Sequence, residues 1–449
     1  MHAIFDYVSL TWRRNRFTSE QVRTYQQKKA LNLVDFAIKN SLFYRKHYGG
    51  IDVRTIEDFK KLPVINKQTM MDNFDDLNTC GLMLEDVKDY ALEKERNKDY
   101  YGYYKDRFVV GLSSGTSGNK GIFITPKNLT KRLPAVFLAR SGIPLRLLPF
   151  RILFLLRVFS QGFADIHSPL VNLTYLSTME PIETIAATIR ENRINILMAP
   201  PSLVRLLLPL SSSLRASVKM IVTYAEVLEE EEKQRFKEAF GTDVAEIYQA
   251  SEGQIGSPCR CGNLHINEDL VLVELFDENG DPLENAGAVA TRMLVTNLVN
   301  YAQPLIRYEM NDLVVLGESC PCGSSFRVIR KVLGRYDDVI FLRNREQVLQ
   351  HVFPDLMSRW IITSSDNIRE FQVIQKSAAS LEIAVDLFDR SEKAEEEVRA
   401  ILVQRFIKEL DVFGIDADIA VLAKAIALPE SMAKYKRFWA DNSIRKSQD

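Results

Sequence analysis

From Arg107 to Phe240 the chain alternates short apolar runs with stretches long enough to be helices. RFVVGL, GIFIT, RILFLL, INILMA, KMIVTY and EIYQA have the length and β-branched character of strands, while Glu183 to Glu191, Ser202 to Leu210 and Leu228 to Phe240 read as helices. Strands joined by helical crossovers run parallel and bury both faces. The pattern therefore predicts an α/β fold with a substantially parallel sheet and a ligand site at the carboxyl ends of its strands. Before this segment, residues 1–80 are predicted to be largely helical, on the apolar spacing of VRTYQQKKALNLVDFAIKNS. After Gly334 the character shifts again. A strand pair (Glu370 to Gln375, Leu381 to Leu387), a charged helix (Ser391 to Leu410), the strand DADIAVLA and a basic tail form a separate α+β module. The expected organisation is a large domain of layered sheets and helices, 1–336, joined by a hinge to a small C-terminal α+β domain, 337–449.

Composition narrows the partners. Of 449 residues, 46% are hydrophobic, and 58 Lys+Arg balance 59 Asp+Glu, for a net charge of -1. Such a chain has no global field to recommend nucleic acid or an anionic membrane as a partner. Its most apolar stretch, Ile143 to Phe163, is interrupted by Arg146, Arg151 and Arg157. A membrane span needs ~20 largely uncharged residues, so this stretch is expected in the core. The N-terminus lacks the apolar region of a secretory signal, and a cytoplasmic location is the default expectation.

Two features carry chemistry. The segment GLSSGTSGNKG, from Gly111, concentrates glycines and hydroxyls ahead of Lys120. It is not a Walker A loop, because Lys120 is followed by Gly121 and a strand rather than by Ser/Thr and a helix. Taken alone it is either a polar hairpin turn or a loop whose backbone N–H groups, hydroxyls and lysine hold phosphate. The second feature is the cysteines. Of five, four form two Cys-X-Cys pairs, Cys259/Cys261 and Cys320/Cys322. In a chain without a secretory signal this spacing indicates metal ligands rather than disulfides, and four thiolates suit a closed, structural Zn²⁺ site. His265 is an alternative fourth ligand. Cys80, standing alone, reads as a small hydrophobe.

The run SSGTSGNKG resembles the phosphate loop of the adenylate-forming superfamily, and further matches follow in order. TYAEVL (Thr223 to Leu228) resembles its adenine-contacting turn and YQASEG (Tyr248 to Gly253) its Tyr-Gly-x-Thr-Glu element. PLIRYEMNDL (Pro304 to Leu313) resembles the segment carrying a ribose-binding aspartate, and GRYDDVI (Gly334 to Ile340) the hinge. FYRKHY, LPVINKQTMMDNF, PLIRY and CPCG are closest to the phenylacetate–coenzyme A ligase branch. The resemblance spans nearly the whole chain.

It implies roles. Ser113, Ser114, Gly115, Thr116, Ser117, Gly118 and Lys120 would hold the ATP phosphates. Ala225, Glu226, Tyr248 and Ser251 would border the nucleotide, Asp312 and Arg335 its ribose or phosphate. Glu252 would hold Mg²⁺, Asp337 would mark the hinge, and Lys434 would be the catalytic lysine delivered by the small domain, with Lys436 next in line. The implied activity is ATP-dependent adenylation of a small-molecule carboxylic acid, aryl or fatty, then transfer to the thiol of coenzyme A or of an acyl carrier protein. An amine acceptor and a nucleotide-binding regulatory module are the alternatives. Alanine before Lys434, where relatives have glycine, and Glu309-Met310, where relatives often have Arg-Thr, keep the second open.

Overall fold

A computed structural model describes residues 2–97, 102–112, 121–156, 170–178, 180–426, 436–441 and 444. The parallel sheet is present, with strands in the order Val171–Ser177, Phe150–Leu156, Ile196–Ala199, Met220–Thr223, Asp243–Glu246. Side chains alternate across a strand, and the two faces of this sheet feed two different cores. Leu153, Leu155, Leu197 and Ile221 pack with Ile185, Ile189, Phe236 and Phe240 of the crossover helices Ile182–Glu191 and Glu230–Phe240. Ile152, Phe154, Met198 and Val222 face the other way, toward Phe137 of the helix Leu133–Arg140. Burial on both faces explains why these strands read as continuous apolar runs rather than alternating ones.

Local sequence fixes several helix ends. Thr18 and Gln21 form a reciprocal capping box at the start of Ser19–Asn40. The run of glutamates opening Glu230–Phe240 lies at the positive end of its dipole, and the helix stops at Gly241, whose φ of 64° is left-handed.

The five-stranded parallel sheet ends at Glu246. EIYQA, expected as one strand, is two: Asp243–Glu246 closes the parallel sheet, and Tyr248–Ala250 starts a six-stranded sheet with Gly253–Pro258, Leu264–Ile266, Val328–Arg335, Asp312–Leu316 and Val289–Ala290. In that second sheet the pairings are antiparallel, so the parallel expectation holds only for the stretch between Phe150 and Glu246. Ile247 still donates its N–H to Thr223 O, so the chain changes sheets within a residue. A three-stranded sheet, Val271–Phe276, Arg292–Asn297 and Tyr308–Met310, packs with the N-terminal helices in one core containing Leu33, Phe59, Val273 and Val295.

Beyond the turn Tyr336–Asp338, a small C-terminal domain builds its own core around Trp360, Phe371, Leu402 and Phe406. Its four-stranded sheet has the order Asp418–Ala423, Ser380–Leu387, Ile368–Ser377, Phe438–Trp439. Among the described residues, no helix is long and apolar enough to cross a membrane.

Candidate active site

A cavity of about 1170 Å³ opens where the parallel sheet, the second sheet and the small domain meet. Its polar lining comes from the carboxyl ends of the strands. The turn after Met220–Thr223 supplies Ala225 and Glu226, and the segment after Asp243–Glu246 supplies Tyr248, Ser251 and Glu252. Asp312, Arg335 and Asp337 line it from the opposite side, and Lys436 and Arg437 from the C-terminal segment.

The predicted residues meet one another. Tyr248 donates its hydroxyl to Asp312 Oδ2 at 2.7 Å, and Arg335 Nε lies 3.9 Å from Asp312 Oδ1. Asp312 and Arg335 face each other in register on adjacent strands, which is why residues 23 apart in sequence share a site. Burial, together with the Asp312 carboxylate, pushes the Tyr248 hydroxyl well above its ordinary pKa, so it stays a donor. Glu252 is pushed up chiefly by burial, with Asp312 adding to the effect, while Arg335 and a hydrogen bond from Tyr308 oppose it. Glu252 is thus a hard oxygen donor penalised by burial, a state that a divalent cation would relieve.

Ala225 sits at φ 68°, a conformation costly for any residue with a Cβ. That backbone turns Glu226 back toward the start of the helix Pro201–Leu206, where it accepts from Ser202 N at 3.1 Å and Ser202 Oγ at 2.8 Å. Glu226 also lies 3.5 Å from Arg437 Nη2, tying the turn to the C-terminal segment. Asp337 accepts a hydrogen bond from Asn311, which precedes Asp312. Thus the turn Tyr336–Asp338 and the segment carrying Asp312 are physically joined.

Ser113, Ser114, Gly115, Thr116, Ser117, Gly118, Lys120 and Lys434 lie outside the described residues. The strands on either side of the first group, Phe108–Leu112 and Ile122–Pro126, pair antiparallel. Gly111, Leu112 and Phe123, at the end of that pair that residues 113–121 connect, line the cavity. Lys436 is held by Asp338 at 3.7 Å and lies over the Trp439 ring.

Three participants carried no role in the sequence reading. Lys67, inside LPVINKQTMMDNF, lines the cavity and feels the Glu252 charge, although burial lowers its pKa overall. Its position follows from a backbone splice: Ile65 N donates to Arg307 O and Glu309 N donates to Ile65 O. Arg307, in PLIRY, braces this splice by reaching both Glu274 oxygens at 3.0 Å and Leu62 O at 2.6 Å. The third is Arg437. It grips Glu370 with Nε at 2.9 Å and Nη2 at 3.1 Å, and Glu370 also lies 3.5 Å from Arg205 of the large domain. The motifs containing Lys67 and Arg307 were visible; their neighbours were not.

The cysteines differ from the expected four-thiol set. The donor atoms that fall within 4.8 Å of one another belong to Cys259, His265, Cys320 and Cys322. Cys261 is exposed beside Cys320, and the buried His265 stands in its place. Cys261, which precedes Gly262 at φ 80°, is exposed with its thiol against Cys320, while the strand Leu264–Ile266 carries the buried His265. Cys80 packs against an apolar cluster that includes Phe74 and Leu82.

No family model matches the sequence. A phenylacetate-coenzyme A ligase of Thermus thermophilus is 25% identical over 391 residues, spanning 81% of this chain and 80% of that protein. A 2-hydroxyisobutyryl-CoA ligase in its postadenylation state, in complex with 2-HIB-AMP, superposes with a TM-score of 0.72 at 16% identity, covering 97% of this chain and 93% of that one. The same ligase in its thioesterification state, with 2-HIB-AMP and CoA, superposes at 0.58 with 18% identity, over 97% and 94% of the two chains. An anthranilate CoA ligase in complex with anthranoyl-AMP gives 0.53 at 14% identity, over 75% and 66%. This chain has the fold of these CoA ligases, and its sequence is similar over most of its length to that phenylacetate-coenzyme A ligase.

Proposed function

We propose that the chain is an AMP-forming acid–thiol ligase. The observation that carries this reading is the convergence of Glu226, Tyr248, Glu252, Asp312, Arg335 and Arg437 on one cavity beyond the carboxyl ends of the parallel strands. In the first half-reaction a substrate carboxylate oxygen attacks the α-phosphorus of ATP, and the bond to the pyrophosphate oxygen breaks. In the second, a thiolate attacks the acyl carbon of the acyl-adenylate and AMP leaves. Neither step needs a protein nucleophile. The protein's contribution is to position two reactants and to stabilise charge at the phosphates.

Asp312, its orientation set by Tyr248 and Arg335, would accept hydrogen bonds from the ribose hydroxyls. Glu252 would hold Mg²⁺, which when bound neutralises phosphate charge. Lys120 and the hydroxyls of Ser113 to Ser117 would hold the phosphates, and Lys434 would enter from the small domain. The boundary would fall at 336/337, with Asp337 in the hinge. The higher superposition score against a postadenylation state than against a thioesterification state supports a lid seated for the first half-reaction.

The substrate reading is an aryl or aliphatic acid. Val136, Phe137, Phe154, Leu173, Met198 and Tyr224 give one end of the cavity an apolar lining. Acid-dependent exchange of labelled pyrophosphate into ATP, across a panel of aryl and fatty acids, tests the proposal. Exchange with one acid class, followed by a thioester when coenzyme A or a carrier-protein pantetheine is supplied, is the expected result. An amide product would move the acceptor to an amine. ATP binding without exchange would favour a regulatory nucleotide-binding module.

A further inference from the structure

We infer that Cys259, His265, Cys320 and Cys322 form a structural zinc centre of three thiolates and one imidazole, with Cys261 outside the ligand shell. Four observations converge on it. First, the spacing fits a tetrahedron. With Zn–S bonds of about 2.3 Å the edge between two sulfurs is about 3.8 Å, and slightly less between sulfur and nitrogen. Cys259 Sγ and Cys320 Sγ are 3.6 Å apart, and Cys322 Sγ and His265 Nε2 are 3.5 Å apart.

Second, the imidazole is held in the orientation a ligand needs. His265 Nδ1 lies 2.8 Å from Phe326 O, and since a carbonyl only accepts, Nδ1 carries the proton. That leaves the Nε2 lone pair aimed at the thiols, the arrangement by which a backbone carbonyl orients a metal-bound histidine.

Third, the sulfurs are supplied with donors. Asn263 Nδ2 donates to Cys320 Sγ at 3.1 Å, Cys261 N to Cys259 Sγ at 3.3 Å, and Cys322 N to Cys320 Sγ at 3.5 Å. Donors aimed at sulfur favour the thiolate a metal requires. The Cys261 N–H therefore serves the site although its side chain is exposed.

Fourth, the charge is balanced. Three thiolates and a neutral imidazole around Zn²⁺ carry a net charge of about −1. Arg14, a buried guanidinium, sits against the turn, donating to Pro258 O at 2.5 Å and Ser257 O at 3.3 Å. Ser324 Oγ, two residues beyond Cys322, donates to Arg14 O at 2.6 Å.

The centre thus joins two turns 61 residues apart and anchors the N-terminal helix His2–Arg16 to them. Soft thiolates with imidazole in a closed tetrahedron select zinc over magnesium or calcium. The role is to fix the second sheet: Leu264–Ile266, which carries His265, pairs antiparallel with the start of Val328–Arg335, and that strand runs on to Arg335.

The test is metal analysis of the full chain purified without added metal, with X-ray absorption at the zinc edge and visible spectra of the cobalt-substituted protein. One zinc per chain, a shell of three sulfurs and one nitrogen, and an unchanged cobalt spectrum in Cys261→Ser are expected. His265→Ala should weaken zinc retention against a chelator by about tenfold or more. If that variant fails to fold, the absorption shell of the wild type still decides. A four-sulfur shell, loss of zinc in Cys261→Ser, or a chain free of metal that does not take up zinc would each overturn the assignment.

Discussion

Glu370 ties the small domain to Arg205 of the large one, and its replacement by glutamine tests whether that contact seats the proposed lid for adenylation. Its carboxylate meets Arg437 at 2.9 and 3.1 Å, Arg205 at 3.5 Å and the Phe371 N–H at 3.0 Å. Arg205 is buried and pairs with Glu232 at 2.5 Å within the large domain. Burial alone would raise the Glu370 pKa, but Arg437 and then Arg205 outweigh it and hold the group below its ordinary value. A depressed carboxylate contributes stability at neutral pH that disappears as pH falls through its folded-state pKa. Breaking a buried ion pair costs roughly 3–5 kcal/mol. Glutamine still accepts a hydrogen bond, and Arg437 keeps Glu226 at 3.5 Å, so the lower end, about 3 kcal/mol or about a hundredfold, applies. Because Arg205 belongs to the large domain and Glu370 and Arg437 to the small one, part of that cost falls only on the docked lid. Glu370→Gln should therefore reduce acid-dependent pyrophosphate exchange by about ten- to a hundredfold while leaving thioester formation from preformed acyl-adenylate nearly unchanged. Arg205→Met, which removes the large-domain end of the bridge and also leaves the buried Glu232 unpaired, should show the same split on top of a loss of overall stability. Equal loss in both half-reactions, or full exchange in either variant, would refute the idea that this bridge holds the lid in its adenylation pose.

Three other predictions follow from the geometry. Glu229 is raised from 4.5 to about 7, chiefly by burial against the pull of Lys331. A raised carboxylate favours the folded state below its unfolded pKa and loses that contribution as pH climbs to 7. At roughly 1.36 kcal/mol per pH unit, Glu229→Gln should gain about 3 kcal/mol relative to wild type between pH 4.5 and 8, read from urea midpoints; a constant difference across that range would contradict it. Asp312→Asn removes a charged partner of Tyr248 and the proposed ribose acceptor, so the KM for ATP should rise about tenfold or more in steady-state assays. Ala225→Gly relieves a left-handed backbone at φ 68° and should raise stability by up to about 1 kcal/mol in thermal melts, the entropy of glycine offsetting part of the gain.

Much of this molecule is legible in its linear order because the relevant physics is local. Strand and helix periods, the glycine that ends Glu230–Phe240 and the ordered motifs from Gly111 to Ile340 each depend on neighbours a few residues away. The change of sheet inside EIYQA depended instead on which strands were available to pair with each half. The same holds for the cluster of three cysteines and a histidine. A Cys-X-Cys pair announces thiols at a turn, but only the fold leaves Cys261 exposed and brings His265 in from a neighbouring strand. Nor does spacing reveal that Lys67 faces Glu252 or that Glu370 joins Arg205 to Arg437. Residue types and local periods name the candidates. Which donor meets which acceptor is a long-range matter, set by register and by the requirement that buried charges find partners.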